Sequence, residues 1–415
     1  MHLKEKIMKT TKKILLFAVS VLVLSSCSQP LTEGASPVMH DSTPRGVATE
    51  YIRNMNVWAN LSNGRSATDN TMCMDFLNDY DMQDEDGNAI DFASLDYDAK
   101  KRIFEEYQKQ EIDYATEVLE NDEELLDIIK LDNEAMGQMI QEAGRSVLVD
   151  NSPVLFLSRY MEKRRQLLEK AAAEEETLVS RSSSSSSSSE TTVELHADDL
   201  NPDSVRKFKE AYKKGRVLLC RDCSSVTSSG WGLYVGHAAM MSEDSWQDSW
   251  LEDGLSRTTI SAWANDGKSV SWEGKIDGVQ KEPLAYWAGK SEGSAQHVKI
   301  LQMRKKTVKI RWLWIIPYIW FDFSSTAGDA DVAVRYAESN IGKPYRLWVE
   351  IADFFVGGIL QTKWWTDKFY CSQLVWRSWV EANGNYDFSQ CMPLIFPEHF
   401  EMTSSATFIT EYNNY

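Results

Sequence analysis

The sequence predicts an α+β protein in which a mostly helical N-terminal domain precedes a strand-rich C-terminal domain. Three observations predict it. From about residue 97 to residue 179 apolar positions recur every three or four residues, as in Ile103, Tyr107, Ile112, Ala115, Val118 and Leu119. Residues 182–189 are an unbroken serine run, which can bury no apolar area and marks a linker over residues 181–192. Beyond it, short strand-like segments at 217–219, 232–241, 258–263, 298–303 and 308–313 are followed by helical segments at 329–339 and 371–382. Fourteen of the fifteen tryptophans lie beyond Gly230, which gives that region the aromatic content of a compact core or pocket. At 415 residues the chain can bury more than one core.

Taken in order, the chain opens on a targeting segment, residues 1–26. Lys9, Lys12 and Lys13 precede an apolar run over residues 14–24 that is too short to span a bilayer. The run ends in Leu24-Ser25-Ser26-Cys27, which resembles a bacterial lipobox. That resemblance implies a lipidated Cys27 as first mature residue, a membrane anchor, and a cell-envelope location facing the periplasm or the exterior. An ordinary secretory signal with an incidental cysteine is the alternative. Residues 27–66 are rich in Ser, Thr, Pro, Gly and Asn without clear periodicity, and are expected to form a flexible tether.

Residues 67–180 are expected to form an acidic helical domain with a solvated charged face. Asp84, Asp86, Gly87 and Asn88 resemble part of a calcium loop. With Gly87 in the sixth place, however, Met82 and Ala93 fall where the first aspartate and the closing glutamate belong. No metal is expected there. The net charge of −18 excludes nucleic acid as a partner, since phosphates would be repelled.

The second domain, residues 193–415, opens with Asn201-Pro202, then Val205, Phe208 and Tyr212, closing at Gly215; this is the pattern of a capped helix. Residues 312–321 are the most apolar run of the mature chain. They are too short to span a membrane and include Pro317. A core strand is the default, with an aromatic wall for an apolar substrate or an interfacial loop as alternatives. The apolar residues 354–360 could flank the same cleft.

Five cysteines remain after Cys27, namely Cys73, Cys220, Cys223, Cys371 and Cys391, an odd number that leaves at least one thiol without an internal partner. Cys220 and Cys223 form a lone C-x-x-C with no second pair nearby, which favours a local disulfide or two ordinary thiols over zinc. Cys371 stands in the first turn of a helix stopped by Asn383-Gly384, where free amides and the helix dipole favour a thiolate. His237 lies on a strand with Gly236, Ala238 and Ala239 leaving space around it. Each residue alone also fits an ordinary structural role, a satisfied core histidine or a small apolar cysteine.

Together they carry a resemblance. Gly236-His237-Ala238-Ala239-Met240-Met241, then Ile341-Gly342-Lys343-Pro344-Tyr345, then Tyr370-Cys371-Ser372-Gln373-Leu374-Val375 are similar to the circularly permuted NlpC-type papain-like group, the YaeF/YiiX group. Gly278-Val279, Pro283-Leu284, Trp287, the 333–336 helical segment and Pro397 follow its pattern too. The resemblance covers about residues 201–410 and implies a Cys371–His237 pair acting through a thioester on cell-wall peptides or lipid-linked acyl groups, with no cofactor. It makes the Cys371 N–H an oxyanion donor and lets Tyr345 line the site or assist the oxyanion. Such proteins usually carry a polar residue, often glutamate, on the strand after the histidine. Here that position is Ser261, with Glu273 or His297 as possible substitutes. A non-catalytic binding or scaffold lipoprotein that keeps this fold is the other reading.

Overall fold

The computed structural model of the chain describes residues 41–62, 74–145, 193–221, 236–263, 270–291, 293–313, 316–324, 326–345, 366–388 and 395–414, with Lys163, Gln166 and Trp364 as isolated positions. Cys27, Cys73, Cys223, Cys391, the serine run and residues 354–360 lie outside them. The chain is mixed α+β.

The first helix, α1 (Pro44–Ser62), corrects the expectation of a tether over residues 27–66. Pro44 sits in the first turn, where its missing N–H is no loss, and the Thr43 hydroxyl accepts the Gly46 N–H at 3.1 Å. Val47, Ala48 and Tyr51 are buried at helical spacing against α2 (Tyr97–Asn121) and α3 (Glu123–Arg145). The polar residues between them mask that period in the sequence. Asp96 caps α2 by accepting the Ala99 N–H at 2.8 Å, and Asp122 turns the chain into α3 by accepting the Leu125 N–H at 2.9 Å. In the calcium-like stretch, the Asp84 carboxylate accepts the N–H groups of Asp86 and Asn88 and so closes its own turn.

The helices do not stand apart from the C-terminal region. Strand β1 (Met82–Asp84) pairs in parallel with β9 (Lys305–Leu313), which forms an antiparallel hairpin with β10 (Ile316–Ser324). Helix α2 lays Ile103, Phe104 and Tyr107 on Val308, Ile310 and Ile319 of that sheet. Lys306, fully buried, reaches Glu111 at 2.8 Å, the Tyr107 hydroxyl at 2.7 Å and Ser404 Oγ at 3.1 Å. The described parts of residues 67–180 and 193–415 therefore share cores. Linear sequence hides this because the partners lie some 200 positions apart along the chain.

The remaining elements are β2 (Val193–Glu194), α4 (Pro202–Glu210), β3 (Val217–Cys220), β4 (His237–Met241), α5 (Trp250–Asp253), β5 (Arg257–Trp263), β6 (Val270–Ser271), β7 (Gly278–Pro283), α6 (Leu284–Ala288), β8 (His297–Met303), α7 (Ala327–Ser339), α8 (Cys371–Ala382), α9 (Pro397–Glu401) and β11 (Ala406–Asn413). A six-stranded antiparallel sheet has the order β11-β8-β3-β4-β5-β7, while β2 and β6 form a separate short ladder. Alternation gives the large sheet two buried faces. Val217, Leu219, Ala238, Met240, Ile260 and Ala262 pack under α7 and α8. Leu218, Cys220, Ala239, Met241 and Trp263 pack against Phe208, Tyr212 and the aromatic residues of α6. Helix α4 ends at Glu210, before Gly215; that glycine, at φ +80°, instead turns the chain into β3. A Cβ there would meet Ala330 and Trp379 at 2.9 Å, which ties the turn to α7 and α8.

The aromatic run is a hairpin only partly in the core. Ile310 and Ile319 are buried, whereas Trp312, Leu313 and Tyr318 near the turn are exposed, because α2 covers only the base of the hairpin.

Candidate active site

The site forms where the sheet opens. Register pairs Met240 with Ile260 and Met241 with Thr259, and continuing it would pair Ala238 with Ala262. The β4–β5 ladder stops short of that pair. The Ala238 N–H instead donates to the Cys371 sulfur, so the first turn of α8 occupies the fork between the strands. On its other side β4 stays paired, with His237 opposite Cys220 of β3. Gly236 lets the chain enter β4 close against the end of β3: at φ +61° a Cβ would meet the Cys220 carbonyl oxygen at 2.4 Å.

The approach to Cys371 is held from three directions. The Gly342-Lys343-Pro344-Tyr345 turn laces onto β7, with Gly342 N–H donating to the Val279 carbonyl and Val279 N–H to the Lys343 carbonyl, both at 2.8 Å. Phe369 N–H donates to the Pro344 carbonyl at 3.1 Å, and a parallel bridge joins Tyr345 to Phe369, two residues before the cysteine. The Tyr370 hydroxyl accepts the Ile395 N–H at 2.9 Å, while Ser372 Oγ donates to the Ile395 carbonyl at 2.7 Å. Leu374, Val375, Trp376 and Trp379 then bury the helix against the sheet. Tyr345 thus reaches the site through its backbone; its half-buried ring packs between the N-terminal helical core and the core under α7 and α8.

His237 and Cys371 are brought together, with a side-chain hydrogen bond between them. The imidazole Nε2 lies 2.6 Å from Glu282 Oε1, which leaves Nδ1 for the thiol. Trp263, Tyr286 and Trp287 enclose the ring, with centroids at 4.5, 5.8 and 5.7 Å. Glu282 is fully buried on β7 and receives five donors. Oε1 takes His237, Ser261 Oγ and Trp263 Nε1, and Oε2 takes Thr259 Oγ1 at 2.9 Å and Trp287 Nε1 at 2.7 Å. Five donors meet a group with about four lone-pair sites, so the carboxylate is saturated as the anion.

Electrostatics follow from this geometry. Burial opposes charge on all three groups, and in each case the partners win. Burial would raise the Glu282 carboxyl, but the imidazolium and the surrounding donors hold it below its usual range. Burial would lower His237, but the Glu282 carboxylate and the Cys371 sulfur push it up to about 9. Burial would raise the Cys371 thiol, but His237 and the N–H groups of Ala238 and Ser372 bring it down. Both shifts act in the direction that favours a thiolate–imidazolium pair. As the first residue of α8, Cys371 also has an N–H with no acceptor inside the helix, available to a developing oxyanion.

Ser261 needs correcting as the third member. It stands opposite Gln280 on β7 and its hydroxyl donates to Glu282, so it supports the carboxylate that holds the imidazole. Glu273 is exposed, with its carbonyl accepting Arg257 at 2.7 Å. His297 is two strands from β4, between Glu124 at 3.4 Å and Glu411 at 3.5 Å. Glu282 was the residue missed. A lone carboxylate in Glu282-Pro283-Leu284-Ala285-Tyr286-Trp287, among residues that already carried the resemblance, was the available signal.

Cys220 is disulfide-bonded, with its partner outside the described residues, and among those residues Cys371 is the free cysteine. Next to Cys220, Arg221 reaches Asp122 and Glu401, each at 2.7 Å, and Lys299 reaches Glu401 at 2.9 Å. This cluster fastens the α2–α3 junction and α9 to the strand beside His237. Among the described residues no group of three or more His, Cys, Asp or Glu side chains could hold a metal ion, and no helix is long and apolar enough to cross a membrane. No family model, curated protein or solved structure matches this chain.

Proposed function

We propose that the protein is an exported, membrane-anchored cysteine hydrolase, amidase- or peptidase-like, built on a circularly permuted papain-like (NlpC-like) domain. The observation that carries this reading is the buried Cys371–His237–Glu282 chain, poised as an ion pair at a helix start. The antiparallel sheet with α7 and α8 on one face, and a histidine strand that precedes the cysteine helix in sequence, support the permuted arrangement.

The Cys371 thiolate attacks the carbonyl carbon of an amide or ester, and the Cys371 N–H faces the oxyanion that forms. His237 donates its proton to the leaving nitrogen or oxygen, giving a thioester and a free amine or alcohol. The now neutral imidazole takes a proton from water, hydroxide adds to the thioester, and the carboxylic acid leaves as the thiolate and imidazolium are restored. Glu282 fixes the ring and stabilises its charged form. The substrate classes are cell-wall peptides and lipid-linked acyl groups in the cell envelope, reached from the Cys27 anchor. A non-catalytic scaffold role drew on the missing carboxylate beside the histidine, and Glu282 fills that place.

Incubation with muropeptides and acylated lipids, read by mass spectrometry, tests the proposal. Turnover and an acyl adduct on Cys371 are expected for the native chain and neither for Cys371→Ala. Equal turnover by both proteins would overturn it.

A further inference from the structure

The β9–β10 hairpin extends past the helix that covers its base. Its register places Val308, Ile310 and Trp312 on one side with Phe321, Ile319 and Pro317. Val308, Ile310 and Ile319 are completely covered, yet Trp312 on the same side is 39% exposed. On the opposite side Leu313 is 51% and Tyr318 55% exposed. Both sides of the tip thus present large apolar groups, two of them aromatic residues with a polar atom at one end. Such side chains favour the boundary between lipid headgroups and acyl chains.

The basic residues along β9 do not point to an anionic ligand. Lys305 meets Asp81 at 3.3 Å, Lys309 meets Gln83 at 2.5 Å, and Arg311 meets Glu85 at 3.0 Å. The segment around β1 therefore answers the cations of β9, and the chain as a whole carries −18. Whatever the tip meets, apolar contact draws it there.

The occupant is indicated by where the tether enters. From Cys27 to Asp41 there are fourteen peptide steps, a reach of at most about 50 Å. Just beyond, Arg45 at the start of α1 pairs with Asp113 of α2 at 2.9 Å, and α2 is the helix that backs the hairpin. Tether entry and hairpin therefore belong to one packed unit, within reach of any surface that holds Cys27. We propose that Trp312, Leu313 and Tyr318 insert into the interfacial layer of the bilayer to which Cys27 is anchored, as a second contact that fixes how the protein sits on the membrane. This rests on the reading of Cys27 as lipidated. A lipid anchor and an apolar wedge together bind far more stably than a single weak contact.

The test uses the full lipidated chain in phosphatidylcholine vesicles, with an environment-sensitive fluorescent amino acid at position Leu313 and, as control, at exposed Phe408 on β11. A blue-shifted emission quenched by spin-labelled lipid is expected at 313 and not at 408, with little change between low and high salt. Changing Trp312, Leu313 and Tyr318 to Ser should weaken vesicle binding of an unlipidated Cys27→Ser protein at least about tenfold. Water-like emission at 313 while the lipidated protein sediments with vesicles would overturn the hairpin contact and leave the anchor standing. Failure of the lipidated chain to sediment would overturn the anchor reading itself. A blue shift that grows with protein concentration in the absence of vesicles would show that a second copy covers the tip, and would also overturn the proposal.

Discussion

Glu282 and Glu111 are two buried carboxylates, and each is paired with a cation and ringed by donors. Glu111 faces Lys306 at 2.8 Å and takes Thr403 Oγ1 at 3.1 Å, the Ser404 N–H at 3.2 Å and the Ser404 hydroxyl. Burial works against charge at both, and both stay below the usual carboxylate range because their partners outweigh it. What differs is the cation and its next neighbour. Lys306 is enclosed by Tyr107, Glu111 and Ser404, with its own proton affinity lowered by burial, and it joins α2 to the β9 strand. His237 instead has a second ring nitrogen, and beyond it lies a thiol at the start of a helix. Burial and pairing make a strong joint in one region and, in the other, the proposed active site. The comparison teaches that a perturbed carboxylate is a structural fact, and that the group on the far side of its partner decides whether it does chemistry.

This contrast can be broken by mutation. Glu282→Gln should lower kcat/KM by about 10³–10⁴-fold while the chain still folds, since an amide can neither hold the imidazolium nor accept from all five donors. Steady-state kinetics beside a circular dichroism spectrum would check it, and full activity would remove Glu282 from the relay. Glu111→Gln should reverse the pattern, costing about 3–5 kcal/mol of stability by stranding the Lys306 charge while leaving the intrinsic rate of the folded fraction unchanged. Replacing both Glu111 and Lys306 with apolar residues of similar size should restore most of that stability. Denaturant titrations distinguish the two outcomes.

The pH dependence sharpens the same point. Because the Cys371 thiol is lowered and His237 is raised to about 9, alkylation by iodoacetamide should be rapid at neutral pH in the native chain. In His237→Ala it should become rapid only near the ordinary thiol range. Turnover should fall as pH rises through about 9, where the imidazolium loses the proton owed to the leaving group. The stability linked to His237 has the matching sign: its folded value lies above its ordinary one of 6.5, so the contribution is complete below 6.5 and lost as pH rises through about 9. The smallest effect belongs to Ser261→Ala. It removes one of five donors to Glu282 and should cost about 1 kcal/mol of stability and less than about tenfold in rate.

Some features needed no tertiary information. Cys371 at a helix start, the capped α4, and strands β3, β5, β8 and β9 are marked by local periodicity, caps and breakers, which are properties of neighbouring residues. Strands β7 and β11 were not anticipated, while most of β10 falls within the run 312–321 expected as a core strand. Gly278–Pro283 alternates too many polar groups to look buried until Glu282 finds partners on β5 and Gln280 folds back onto the Ile276 backbone. Helix α1 was lost for a similar reason, since its apolar stripe is thin and gains meaning only against α2 and α3. In the site, sequence indicated the histidine, the cysteine and the region of the third residue. Ser261 is hydrogen-bonded to the residue that fills that role.

By itself the sequence determined the α+β class, the His-then-Cys order and the glycines that permit close backbone approach at 236 and 278. These follow from short-range sterics and hydrogen bonding. Only the tertiary structure decided that the β4–β5 ladder ends early, that α8 enters the gap, that Glu282 meets His237, and that the helical region shares cores with the domain it precedes. Those outcomes depend on the register of distant strands and on desolvation. Both are set when segments far apart in the chain exclude water together.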